Sequence, residues 1–194
     1  LSSEIMNTAE ERIARLRELM GPDGDILLEN HAMTDAVSSI QFAHMAEKYR
    51  PMFLEEPATP LNSKVFEKIA ANIRAIANGE RLYSRWQYAE YFKKNLLQLA
   101  QPDIGNCGGI TECKKICDHA HLYDVGVQTH VCSSPISVAV SLQFEAAIPN
   151  FGRRFMRVPM KLYTSARTGW IFAACWDLMI TVRLPMRRLP SVMN

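Results

Sequence analysis

Short apolar runs alternate with longer amphipathic stretches from the start of the chain to Phe151. The runs are strand-sized. DILLE, MFLE, AIANGE, LLQLAQPD and GVQTH each carry an apolar stretch to a polar residue at or just past its end. Between them, apolar residues recur three and four apart, the spacing of one helical face. The pattern predicts strands near 25–28, 52–54, 75–77, 96–100 and 126–129. Helices fill the gaps. The first is capped by Thr8 with Glu11 three residues on and is stopped by Gly21-Pro22. A second is capped by Thr34, a third covers 63–72, and the Ser84–Gln87 capping box opens a fourth. Thr111 caps a fifth that runs to about Tyr123, and Pro135 opens a sixth that ends near Ala147.

This alternation calls for a parallel sheet with right-handed crossovers. The strands are too short and too apolar for a solvent-facing antiparallel sheet. A doubly wound open sheet satisfies the alternation as well, but the polar residues at the strand ends favour a barrel. Glu29, Glu55, Glu80, Asp103 and His130 follow one another at steps of 26, 25, 23 and 27 residues, each the length of one βα repeat. A barrel points the C-terminal ends of its strands at one face, where such residues converge. The expected fold is therefore α/β, a partial TIM-type (β/α) barrel over residues 1–151. Three carboxylates followed by an Asp and a His read as a hard-cation site beside an acid–base group.

With 194 residues the chain can bury one real core, yet it is short of the roughly 250 that an eight-stranded barrel uses. The formal net charge of +2 speaks for neither a nucleic acid nor an acidic partner. It hides an asymmetry: from Gly152 onward seven arginines and one lysine face a single acid, Asp177. This 152–194 tail has no strand–turn–helix rhythm. It reads as an aberrant or poorly ordered segment, or as a basic docking segment. Its longest apolar tract, Trp170 to Val182, is interrupted by Asp177 and is too short to span a bilayer. No start methionine or leader opens the sequence. Five cysteines without framework spacing favour reduced thiols and a cytoplasmic setting.

At LEEP, ANGERLYSRW, QPDIGNCGGITE and THVCSSP the chain resembles the enolase superfamily, in its mandelate racemase subgroup. Within that subgroup it is most similar to acid-sugar dehydratases of the galactonate dehydratase type. The resemblance runs from about Thr8 to Phe151. It implies a Mg²⁺ site on Glu29, Glu55 and Glu80, a His130–Asp103 dyad, and an acid at His31. The activity implied is abstraction of the proton alpha to the carboxylate of a sugar acid. Loss of the beta-hydroxyl follows through a metal-stabilised enediolate.

The implied roles make chemical sense. Loss of a proton next to a carboxylate puts a second negative charge on the substrate, and a hard divalent cation on oxygen ligands neutralises it. An imidazole with an ordinary pKa near 6.5 suits the base, and Asp103 orients it. His31, two residues beyond Glu29, faces the same side of an extended segment and can protonate the departing hydroxyl. Arg81 and Arg85, beside Glu80, read equally as contacts to sugar hydroxyls and as partners for acids. Glu56 reads as structural, because neighbours on a strand face opposite ways.

Other chemistries fit less well. Cys113, Cys117, His119 and His121 invite a zinc reading, but on a helix only 113 and 117 share a face. Gly108-Gly109 lacks the surroundings of a phosphate cradle and suits a tight turn. Cys132 and Ser133 near His130 compose a nucleophile–base pair that leaves three carboxylates unexplained.

Family members also carry a capping domain and earlier barrel strands, which the sequence does not show. Among those strands is the lysine-bearing one that many relatives use for a second base. With His31 the one further acid–base candidate, dehydration is favoured over racemisation or epimerisation. A non-catalytic remnant that keeps the ligands by descent and binds a partner is the alternative from another class. A full-length family member is expected to be a homo-oligomer. This chain alone is expected to be poorly stable and weakly active, since an open barrel exposes strand edges.

Overall fold

The structure, a computed structural model, describes residues 1–151, 160–164 and 171–175. Helix α1 (Ser3–Met20) buries Ala9, Ile13 and Leu16 and ends on Gly21 at φ 70°. Ser2, not Thr8, is its cap and accepts from the Ile5 amide. Thr8 lies inside the helix and donates to the Glu4 carbonyl at 2.9 Å, because Ser2 offers the same capping chemistry earlier in the chain.

Strands and helices then alternate as β1 (Leu27–Glu29), α2 (Ala36–Ala46), β2 (Phe53–Glu55), α3 (Ser63–Ala70) and β3 (Ile76–Asn78). They continue as α4 (Arg85–Lys93), β4 (Leu99–Ala100), α5 (Ile110–Leu122), β5 (Gly126–Val127) and α6 (Pro135–Ala147). The five strands are parallel and lie in chain order, β1-β2-β3-β4-β5. Right-handed crossovers in a sheet of sequential order place every helix on one face, whereas a doubly wound sheet reverses its order midway. The other face is the inner wall of a partial barrel.

Burial follows the two faces. Ile26, Leu28, Leu54, Ile76, Ala100 and Val127 belong to the main core under the helices. The alternate residues Leu27, Phe53, Ala75, Ala77 and Leu99 form a second, smaller cluster on the inner face.

The last two strands are shorter than the sequence predicts. Asn95 turns at φ 53° and the Leu96 amide still bonds the Tyr91 carbonyl, so α4 is unwinding where β4 was expected to begin. The ladder nonetheless continues past their ends. The amide of Gln128 bonds the carbonyl of Ala100 at 3.0 Å, and that of His130 bonds Pro102 at 3.1 Å. Phe151 adds a single parallel bridge to Val127, where a sixth strand would pair.

Two further caps differ from expectation. Asp35 caps α2 through the Ser38 amide, while Thr34 is buried and donates to the Pro57 carbonyl at 2.8 Å. Gly109, at φ 88°, precedes α5, so Thr111 falls inside the first turn. The Ser84–Gln87 capping box on α4 is present, and Pro135 follows the Ser134 cap of α6.

Within the tail, β6 (Met160–Thr164) and β7 (Ile171–Cys175) pair antiparallel, with Thr164 opposite Ile171. The strand rhythm had not predicted that pair. The remainder of the tail, with all seven of its arginines and the basic docking segment expected there, lies outside the described residues. Among the described residues no helix is long and apolar enough to cross a membrane.

Candidate active site

The register of β1 and β2 sets Glu29 directly opposite Glu55. By strand alternation with Leu27 and Phe53, both side chains project to the inner face. Like charges in that cross-strand position repel. Burial pushes Glu55 up to about 7, against a hydrogen bond from Gln101, and repulsion from Glu29, Glu80 and Glu56 adds to the rise.

Gly79 delivers the third carboxylate. A Cβ at this position would stand 2.6 Å from the Gln101 backbone, so only glycine lets the chain pass there. The Tyr88 hydroxyl donates to the Gly79 carbonyl at 2.8 Å and fixes the turn. Glu80 follows, with 12% of its side chain exposed. Burial works against its ionisation. The hydrogen bond and charge of His130, with Arg81, outweigh burial and hold the carboxyl below its usual range.

Glu56 does not follow the strand alternation expected of it. It leaves β2 at φ 45°, which breaks the strand alternation. Its carboxylate is buried, pairs with the Arg81 guanidinium, and leaves Oε1 without a partner. Burial raises its pKa, although Arg81 opposes the rise. The signal was the acidic doublet of LEEP at a strand end, where alternation no longer governs direction.

His31 reaches the cluster by an unexpected route. The backbone at His31 and Ala32 is left-handed, at φ 50° and 54°, rather than extended. The turn places His31 Nδ1 2.7 Å from Glu29 Oε1, while Asp35 is occupied at its cap.

His130 stands between two carboxylates. Its Nδ1 is 2.8 Å from Asp103 Oδ2 and its Nε2 is 3.0 Å from Glu80 Oε2. Asp103 Oδ1 in turn accepts from the Gly105 amide at 2.8 Å and from Asn106 at 3.2 Å, which fixes its plane. Burial works against the imidazolium, but Glu80 and Asp103 overrule it and push the pKa up to about 9. The two carboxylates thus favour the imidazolium form of the ring over that of an ordinary histidine.

Two groups of candidate ligands emerge among the described residues. Glu29, His31, Glu56 and Glu80 offer donor atoms within 4.8 Å of one another, as do Asp103, His130 and Cys132. The first group suits a hard cation. Its donors are mainly carboxylate oxygens, Glu29 and Glu55 repel without one, and the buried Glu56 Oε1 is unpartnered. Glu55 lies outside that four-residue group, yet it feels Glu29 and Glu80 and borders it.

Of the two arginines, Arg81 is committed to Glu56 and to Glu80 Oε1, the latter at 2.6 Å. Arg85 is not drawn into the cluster. It stacks on Trp86, 4.6 Å from the ring centre, and its Nε is 3.5 Å from Glu112 Oε2. Cys113 and Cys117 are core residues of α5, and His119 packs edge-on against Phe92 at 5.5 Å.

The same chain is similar to known proteins over most of its described length. It is 34% identical over 154 residues to a D-gluconate dehydratase of Thermoproteus tenax, covering 79% of this chain and 31% of that protein. It is 34% identical over 144 residues to a D-galactonate dehydratase of Cronobacter sakazakii, covering 74% and 38% respectively. A crystal structure of an enolase superfamily member from Salmonella Typhimurium superposes with a TM-score of 0.76 at 48% identity. That match covers 78% of this chain and 39% of the other. The chain thus spans about a third of the length of the curated relatives it matches. A family model described as enolase C-terminal domain-like matches residues 3–165, past the Phe151 limit of the sequence motifs. With a match over most of its length, and with strand-end acids around one mouth, the chain belongs to the enolase C-terminal domain-like family.

Proposed function

We propose that this chain carries the cation-binding and acid–base groups of a Mg²⁺-dependent sugar-acid dehydratase. The observation that carries this reading is the His130 ring, oriented by Asp103 on one nitrogen and facing the carboxylate cluster with the other. A base so placed acts on a substrate held at that cluster.

Glu29, Glu55 and Glu80 would hold the ion, with Glu56 and Arg81 directly behind Glu80. Bound there, Mg²⁺ supplies positive charge to the substrate carboxylate and to the negative charge that grows beside it when the alpha proton leaves. The rest is done by side chains. Asp103 keeps the His130 imidazole in one orientation, so that Nε2 faces inward. A cation held by Glu80 would remove one of the two carboxylates that favour the ring proton; with that proton lost to solvent, Nε2 of His130 would take the substrate's. His31, on the Glu29 side of the mouth, donates a proton to the departing hydroxyl, and water is the leaving group. The names of the relatives support six-carbon aldonic acids as the substrate class.

The test is turnover of a panel of aldonic acids to 2-keto-3-deoxy acids. It is run on this chain and on a relative in which residues 3–151 replace the equivalent segment. The replaced relative should release product only with Mg²⁺, and His130→Asn should stop product while Mg²⁺ still binds. A folded, Mg²⁺-binding chimera that converts no aldonic acid overturns the dehydratase reading and leaves the non-catalytic one.

A further inference from the structure

The second ligand group differs in chemistry from the first. Asp103, His130 and Cys132 offer one carboxylate oxygen, one imidazole nitrogen and one thiol sulfur within 4.8 Å of one another. Sulfur and nitrogen donors select borderline and soft divalent ions, whereas the neighbouring cluster has no sulfur and suits hard ones. Cys107, Cys113 and Cys117 are buried, but Cys132 is exposed. Asp103 is buried and held by two amides, so one ligand is fixed before any ion arrives. Zinc takes nitrogen at about 2.0 Å and thiolate at about 2.3 Å, and its sites often use three protein ligands and one open position.

We infer that Asp103, His130 and Cys132 form a second cation site, selective for Zn²⁺ over Mg²⁺, beside the carboxylate cluster. Binding releases two protons, one from the Cys132 thiol and one from the His130 ring, and the ion takes up the resulting thiolate and the freed ring nitrogen lone pair. Zn²⁺ at this site therefore withdraws the base. That consequence rests on the dehydratase reading, while the binding itself does not.

The experiment uses the intact chain and reads binding rather than turnover. Alkylation of each cysteine by iodoacetamide is followed by peptide mass spectrometry with no metal, with Zn²⁺ and with Mg²⁺. Zn²⁺ should slow modification of Cys132 about tenfold or more, since the metal-bound thiolate is no longer a free nucleophile. Mg²⁺ should leave that rate unchanged. Co²⁺, used as a spectroscopic stand-in for Zn²⁺, should give a thiolate charge-transfer band that Cys132→Ser removes and Glu80→Gln keeps. Absence of Zn²⁺ protection at Cys132 overturns the inference, as does equal protection by Mg²⁺. A Co²⁺ band that survives Cys132→Ser places the sulfur ligand elsewhere and overturns it too. The protection assay needs no variant, so it stands even if a substitution prevents folding.

Discussion

Nε2 of His130 lies 3.0 Å from Oε2 of Glu80, so the proposed base and a proposed metal ligand share one proton. The two functions are therefore coupled. Whatever takes the Glu80 carboxylate lowers the affinity of His130 for its proton. Glu80→Gln should bring the His130 pKa down from about 9 toward the ordinary histidine range, because one of its two charged partners is gone. A histidine-selective NMR titration checks this. A value that stays near 9 would show that Asp103 alone holds the proton.

Stability of the metal-free chain should fall as pH rises. The folded-state pKa of Glu55 is raised from 4.5 to about 7, and that of His130 from 6.5 to about 9. A group with a raised folded pKa contributes fully below its unfolded value and loses that contribution as pH passes the folded value. For Glu55 the loss spans about pH 4.5 to 7, and for His130 about pH 6.5 to 9. Together they amount to a few kcal/mol. Urea unfolding without Mg²⁺ should give a higher midpoint at pH 6 than at pH 9.5, and a flat profile would contradict the assignment.

Arg81→Met should destabilise the fold more than Glu56→Gln. Arg81 is the ion-pair partner of Glu56, whose side chain is 1% exposed, and its removal leaves a buried charge uncompensated. Such a loss typically costs about 3–5 kcal/mol. The neutral glutamine keeps the shape without the charge and should cost less. Denaturant midpoints for the two variants decide the order.

Gly79→Ala should unfold the strand end that presents Glu80. The added Cβ would press on the Gln101 backbone, which cannot swing aside as a side-chain tip can. We expect a loss of about 3 kcal/mol or more, the range of overpacked or strained positions. A variant with wild-type thermal stability would show that the turn relaxes cheaply.

Much of this arrangement was legible in the sequence because strand ends recur with the βα repeat. Glu29, Glu55, Glu80, Asp103 and His130 were found by their spacing alone, and the order of the strands follows from it. What escaped depends on single backbone angles. Glu56 and His31 turn at positive φ, and residue spacing carries no information about such turns. Glutamate seldom adopts a left-handed conformation, and histidine does so only somewhat more often, too rarely to be read from the sequence. The caps were misplaced at Thr8, Thr34 and Thr111 because a nearby residue, Ser2, Asp35 or Gly109, stood one to several positions earlier or later in the turn. At Ser2 and Asp35 a single side-chain hydrogen bond decides the cap, whereas α5 starts at Gly109 with no side-chain cap at all. The raised pKa of His130 needs the 3.0 Å contact with Glu80, which residues 50 positions apart do not reveal.

The central claim, that these carboxylates are built around a hard divalent cation, is tested most directly by titrating Mg²⁺ into the metal-free chain. Calorimetry should show saturable binding of a single ion, with a rise in melting temperature that Glu55→Gln weakens and Glu80→Gln abolishes. No binding heat and no thermal shift, or a shift that both variants retain in full, would contradict the account.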